Sequence, residues 1–226
     1  MSMKNKYIKV SHISELKFRE IVKLFSKDLS ATQIAEITGL NRNTINRYLM
    51  LFRKRIVTIC NEDSPLFDKI EMNEFAYKSS KVYEKKKRDT RDKIIVFGLL
   101  KIEGKVYTKI IPNVTKSTLQ KIVQGKINPD NVVHSSSWHG HHGFVGVGCN
   151  KHFRMYHNKN KFVKGTSYIN SIESFWSYAK IRLVKFHGVG QKTFNLHLKE
   201  CEFRFNNKDK NLYKLLLKIF RKNPLN

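Results

Sequence analysis

Apolar residues recur near the N-terminus at intervals of three and four. Phe18, Ile21, Val22 and Phe25 follow the i, i+3, i+4, i+7 spacing of one helix face. Ser30 followed by Gln33 has the spacing of a capping box and predicts the start of a second helix. Ile34, Ala35 and Ile37 are its expected buried face. Gly39 ends that helix and Asn41 caps the next. In the third helix Ile45, Tyr48 and Leu49 face inward, while Asn41, Arg42, Asn43, Thr44, Asn46 and Arg47 face outward. A small residue at 35, a glycine turn and a polar, Arg- and Asn-rich outer face predict a helix-turn-helix within a three-helix domain at residues 1–60. Arg42, Asn43, Thr44, Asn46 and Arg47 are then the groups offered to base edges and phosphates.

Past Ser64 the period changes. LFDKIEMNEFAY alternates loosely, and a charged loop follows with Lys85, Lys86, Lys87 and Arg88 in succession. Residues 93–102 read as a buried strand, 103–105 as a turn and 106–114 as the returning strand. Residues 116–125 read as a short helix, 131–136 as a fourth strand and 152–157 as a fifth; 169–222 is helical. Ile169, Ile172, Trp176 and Leu183 form a core-facing stripe, and Phe203 and Phe205 are expected in the core. The C-terminal LYKLLLKIFRK is amphipathic and basic, with its apolar face expected on the core and its lysines toward nucleic acid. By periodicity alone, residues 65–226 form a mixed α/β domain.

Charge narrows the partner. Forty-four Lys and Arg face eighteen Asp and Glu, a formal net charge of +26. Such an excess costs self-repulsion, which a polyanion offsets. The basic residues run from Lys4 to Lys222, interleaved with Phe and Tyr, as a long nucleic-acid path would require. AT-rich coding also raises Lys and Asn content. No stretch approaches the roughly 20 apolar residues of a membrane span. The N-terminus lacks the apolar core of a signal peptide, so a cytoplasmic, nucleoid-associated protein is expected. Cys60, Cys149 and Cys201 are too scattered for a disulfide framework or zinc site and read as buried thiols. His134, His139, His141 and His142 have no acidic or Cys partner nearby and read as loop residues; so does the Gly-rich segment 143–150, which lacks phosphate-loop spacing.

Strand, strand, strand, helix, strand and then helices is the order of an RNase H-like core. Three segments go further: IEMNEF (70–75), VVHSSSWHG (132–140) and YINSIESFWSYAK (168–180). They resemble the catalytic segments of small bacterial insertion-sequence transposases of the DDE superfamily, whose eukaryotic relatives are the Merlin elements. The flanking GKVYTKIIPNV, KHFRMYHNKNKF and KTFNLHLKECEFRFN fit the same pattern. The resemblance implies a retroviral-integrase-like DDE core with C-terminal helices. It implies Mg²⁺ or Mn²⁺ as cofactor, two-metal phosphoryl transfer, duplex DNA bearing terminal inverted repeats as partner, and a homodimer; no membrane or small-molecule substrate is implied.

Carried over by position, the resemblance puts the catalytic set at Asn73, Ser136, Asn170 and Glu173. Asn73 and Ser136 stand where the family has aspartates, which leaves Glu173 as the metal-binding carboxylate and predicts weakened metal binding and impaired chemistry. Asn170 and Glu173, three apart, share a helix face. Glu71, two residues from Asn73, is the available substitute ligand. Lys180 and Arg182 are expected along the DNA path. The alternative is a catalytically inactive, domesticated DNA-binding protein or repressor. A basic RNA-binding protein is a further alternative.

Overall fold

A computed structural model describes residues 5–9, 11–62, 67–78, 93–101, 104–123, 127–136, 151–155, 171–186 and 189–226. The chain forms two compact units, Met1–Ile59 with Asn207–Asn226, and Cys60–Asn206.

The first unit begins with α1 (Glu15–Ser26), capped by Ser14, whose hydroxyl accepts from Lys17 N. Phe18, Ile21, Val22 and Phe25 are all buried, as their spacing requires. α2 (Ala31–Thr38) opens on the Ser30–Gln33 capping box, with both reciprocal hydrogen bonds present. Its buried residues are Ile34 and Thr38, whereas Ile37 is 56% exposed, contrary to the sequence expectation. Thr38 can be buried because its hydroxyl donates to Ile34 O at 2.7 Å. Gly39 sits at φ 69, the left-handed conformation that a residue without a Cβ adopts freely, and its N–H closes the helix on Ala35 O. Asn41 Oδ1 accepts from Asn43 N and opens α3 (Arg42–Glu62).

The C-terminal helix α7 (Leu212–Lys222) groups with this compact unit. The cause is aromatic packing: the Phe220 ring stacks on Phe52 at 4.9 Å and meets Phe18 edge-on at 6.2 Å. Leu225 and the Tyr7–Lys9 segment exchange backbone hydrogen bonds of 2.9 Å, joining the two ends of the chain. Burying a residue such as Phe220 contributes about 1.5–3 kcal/mol.

The second unit is a mixed five-stranded sheet with helices on both faces. The strands are β1 (Phe67–Lys78), β2 (Lys93–Lys101), β3 (Val106–Ile111), β4 (Ile127–Ser136) and β5 (Lys151–Met155). Their spatial order is β3-β2-β1-β4-β5. The β1–β2 and β2–β3 pairs are antiparallel; β1–β4 and β4–β5 are parallel. β4 starts four residues earlier than the sequence reading, and α4 (Lys116–Val123) ends two earlier. One sheet face packs Met72, Phe97, Leu99 and Ile111 against Leu119 and Ile122 of α4. The other packs Ile94, Val96, Leu100 and Val106 against α5 (Ser171–Lys185) and α6 (Gln191–Asn206).

β3 is an edge strand, and α6 closes its edge with side chains. Asn206 accepts from Val106 N and donates to Val106 O, both at 2.8 Å. Glu202 accepts from Thr108 N at 2.8 Å, and Lys199 donates to Thr108 O at 2.7 Å. These groups take the place of a further strand and satisfy an edge otherwise open to pairing. Burial raises the Glu202 carboxyl above its ordinary range, with Lys199 and Thr108 partly offsetting the shift.

Candidate functional site

The site is built around the centre of β1. Asn73 pairs with Gly98 on β2, and Gly98 pairs with Thr108 on β3. Directly opposed residues share a face. Thr108 meets Glu202 and Lys199 of α6, so Asn73 lies on the α5–α6 side of the sheet, half-buried.

The neighbouring strand brings Ser136 to the same level. Met72 pairs with Ser135 across the parallel β1–β4 ladder, and the next position on each strand is Asn73 and Ser136. Ser136 is the last residue of β4.

α5 then lays its first turns over this point. A Cβ built on Gly98 would lie 2.5 Å from Trp176 Cζ2 and 3.1 Å from Ile172 Cδ1. Glycine is required there because only a bare backbone lets the indole approach so closely. Trp176 is 4% exposed and stacks on Phe75 at 5.4 Å. Glu173, next to Ile172 in the first turn of α5, is exposed. Asn170 lies outside the described residues, as do Ile169, Cys149, the histidines at 139, 141 and 142, and segment 143–150. Glu71 pairs in register with Leu100 and His134, two steps back from Asn73 along β1. Among the described residues, no three His, Cys, Asp or Glu are grouped so as to hold a metal ion.

The basic residues expected along a DNA path divide. Lys180 is exposed, and its ammonium lies 5.1 Å from the Phe75 ring centre. Arg182 is buried at 3% exposure, a correction to its expected place on the surface. Its guanidinium donates to Glu200, which also accepts from Arg204 Nε at 2.9 Å, and its carbon lies 4.9 Å from the Phe186 ring centre. Arg182 and Arg204 are both buried with Glu200, away from the surface that a phosphate could reach. In the first unit Arg42, Asn43, Asn46 and Arg47 are exposed, and Thr44 is half-buried. Ile172, Trp176, Leu183 and Phe203 are buried as expected, and Phe205 packs edge-on against Phe175 at 5.3 Å. The sequence reading missed Gly98 and the Lys199–Glu202–Thr108 group. Glu202, set between Cys201 and Phe203, was the available signal for the latter.

Residues 65–206 match the ISXO2-like transposase domain. The chain belongs to this transposase family. An uncharacterized transposase-like protein of Haemophilus influenzae is 41% identical over 105 residues, 46% of this chain and 84% of that relative. A pre-cleavage Mos1 transpososome superposes loosely, with a TM-score of 0.26 and 11% identity over 86% of this chain and 79% of that one. No helix among the described residues of this transposase-family chain is long and apolar enough to cross a membrane.

Proposed function

We propose that this transposase-family chain binds the terminal inverted repeats of its element as a homodimer, with a catalytic centre impaired by two substitutions. The observation that carries this reading is convergence. Asn73 and Ser136 fall level on adjacent strands, beneath the helix that carries Glu173. The strand order β3-β2-β1-β4-β5, antiparallel and then parallel, supports an RNase H-like core. α2, the Gly39 turn and the polar start of α3 support a helix-turn-helix that reads DNA. Lys180, exposed on α5 beyond Glu173, is a phosphate contact in this reading.

The donor set does not fit a pair of Mg²⁺ ions. Two divalent ions about 4 Å apart need several carboxylates to offset their mutual repulsion. Asn73 and Ser136 offer neutral oxygens, so Glu173 brings the one formal charge.

The test is a cleavage and strand-transfer assay on element-end DNA with Mg²⁺ or Mn²⁺, comparing the native chain with Asn73→Asp/Ser136→Asp. The native chain should bind without cutting, and the double variant should cut. Equal cutting by both would overturn the impairment and point to Glu71 as a ligand. Failure of the native chain to bind duplex DNA would overturn the DNA reading itself.

A further inference from the structure

We propose that α1 and α7 together form a second surface for the phosphate backbone of duplex DNA, separate from the α2–α3 turn. This rests on the DNA-binding reading above and extends it to a sequence-independent contact. The first unit holds 18 Lys and Arg against 5 Asp and Glu in 79 residues, and the second holds 26 against 13 in 147. Half of the net charge therefore sits on about a third of the chain.

Within that unit the charge is arranged in rows. On α7, Lys214, Lys218 and Lys222 are exposed at every fourth position, with Arg221 beside them. The helix contains no acidic residue. On α1, Arg19 and Lys23 are exposed four apart, and Lys27 follows at the C-cap. The rows adjoin: α1 packs on α7 through Phe18 and Phe220, and Tyr213 of α7 lies close enough to the Arg19 guanidinium to raise its pKa.

Structural needs account for part of this. Arg221 and Lys222 suit a helix C-terminus, but Lys214 stands in the first turn, where the helix dipole disfavours a cation. Like charges four apart each cost a few tenths of a kcal/mol. The two rows contain four such pairs, Arg19–Lys23, Lys23–Lys27, Lys214–Lys218 and Lys218–Lys222. A polyanion lying along both helices turns that repulsion into attraction. Each row spans about 12 Å of helix axis, a length over which duplex DNA presents roughly seven phosphates.

DNA is favoured over an anionic membrane because the apolar side of α7 is already used. Leu216 and Phe220 are buried, and the large exposed apolar residues among those described are Leu16, Ile37, Ile181 and Val184, none of them on α7. An interfacial helix needs a free apolar face.

The experiment measures Kd against salt for the full chain on two duplexes, one with the element end and one scrambled. Native protein is compared with Lys214→Gln/Lys218→Gln/Arg221→Gln/Lys222→Gln, with circular dichroism as the fold control. Each lost phosphate contact lowers the slope of log K against log salt by about 0.9. The variant should lose about two to four in slope on both duplexes and keep its preference for the end sequence. An α3 variant, Arg47→Ala, should instead reduce that preference. If the fourfold variant unfolds, Lys214→Gln/Lys218→Gln is read the same way, with a loss of about one to two. An unchanged slope with native binding intact overturns the proposal and leaves the α3 reading standing. Native protein that binds neither duplex overturns both. An unchanged DNA slope, with charge-dependent binding to phosphatidylserine vesicles lost in the variant, assigns the surface to membrane.

Discussion

Gly98→Ala tests whether α5 is seated on β2 as tightly as the structure shows. The new methyl carbon would lie 2.5 Å from Trp176 Cζ2, more than 1 Å inside the ordinary contact distance of about 3.5–4.0 Å. Neither side yields easily. β2 lies between β1 and β3, hydrogen-bonded on both edges. The indole is stacked on Phe75, and Phe175 lies 4.9 Å away between ring centres. Overpacking of this kind costs about 1–3 kcal/mol. The reduced freedom of the unfolded chain returns about 0.4–1 kcal/mol. A net loss of about 1–2 kcal/mol follows, which lowers Tm by roughly 3–8 °C for a unit of this size.

Urea unfolding followed by tryptophan fluorescence would measure that loss. A double-mutant cycle with Trp176→Leu would assign it, because removing the indole gives the new methyl room. The Gly98→Ala penalty should shrink by at least about 1 kcal/mol in the Trp176→Leu background. A Gly98→Ala protein as stable as the native one, or an additive pair, would refute the close approach. The seating of the first turns of α5 over Gly98 would fall with it.

Arg182→Met should destabilise the protein by about 3–5 kcal/mol in urea unfolding, because it strips a partner from the fully buried Glu200 carboxylate. DNA affinity per folded molecule should not change, and a folded variant with weaker DNA binding would restore Arg182 to the surface. Glu202 has a raised pKa, so on folding it retains a proton that the unfolded chain releases near pH 4.5. Its contribution is therefore most favourable below that pH and is lost as pH rises through the folded pKa. The stability of native protein relative to Glu202→Gln should fall over that window; a flat or rising difference would contradict it. In EDTA, the native chain should bind end DNA more tightly than Asn73→Asp/Ser136→Asp, since each added carboxylate near a phosphate costs about 1 kcal/mol. Equal affinities in a filter-binding titration would place positions 73 and 136 away from DNA.

Local signals carried most of the helices. The α1 stripe and the Ser30–Gln33 box involve residues within one or two turns, and both formed as their spacing requires. Ile37 did not follow, because α2 has eight residues and its pattern fits either Ile37 or Thr38 facing inward. The hydrogen bond from Thr38 to Ile34 decided between them. The docking of α7 depends on Phe220 finding Phe18 and Phe52, over 160 residues away in sequence. An amphipathic helix states that it has an apolar side but not which core will receive it.

The candidate site was legible in an uneven way for the same reason. Residue identities at 73, 136 and 173 could be read along the chain, and with them the single carboxylate among the three. The level placement of Asn73 and Ser136 could not, since it depends on a parallel β1–β4 register, nor could the glycine that admits Trp176 of α5. Arg182 shows the converse error. A cation on a basic helix looks like a phosphate contact until Glu200, 18 residues on, folds against it. In a chain with more than two cations per acid, a carboxylate among apolar neighbours marks a buried cation nearby. Glu200 and Glu202 remove Arg182, Arg204 and Lys199 from the DNA-facing set. In the proposed DNA-binding reading, the charge left for DNA is the exposed remainder, such as Lys180 on α5, the start of α3, and the rows on α1 and α7.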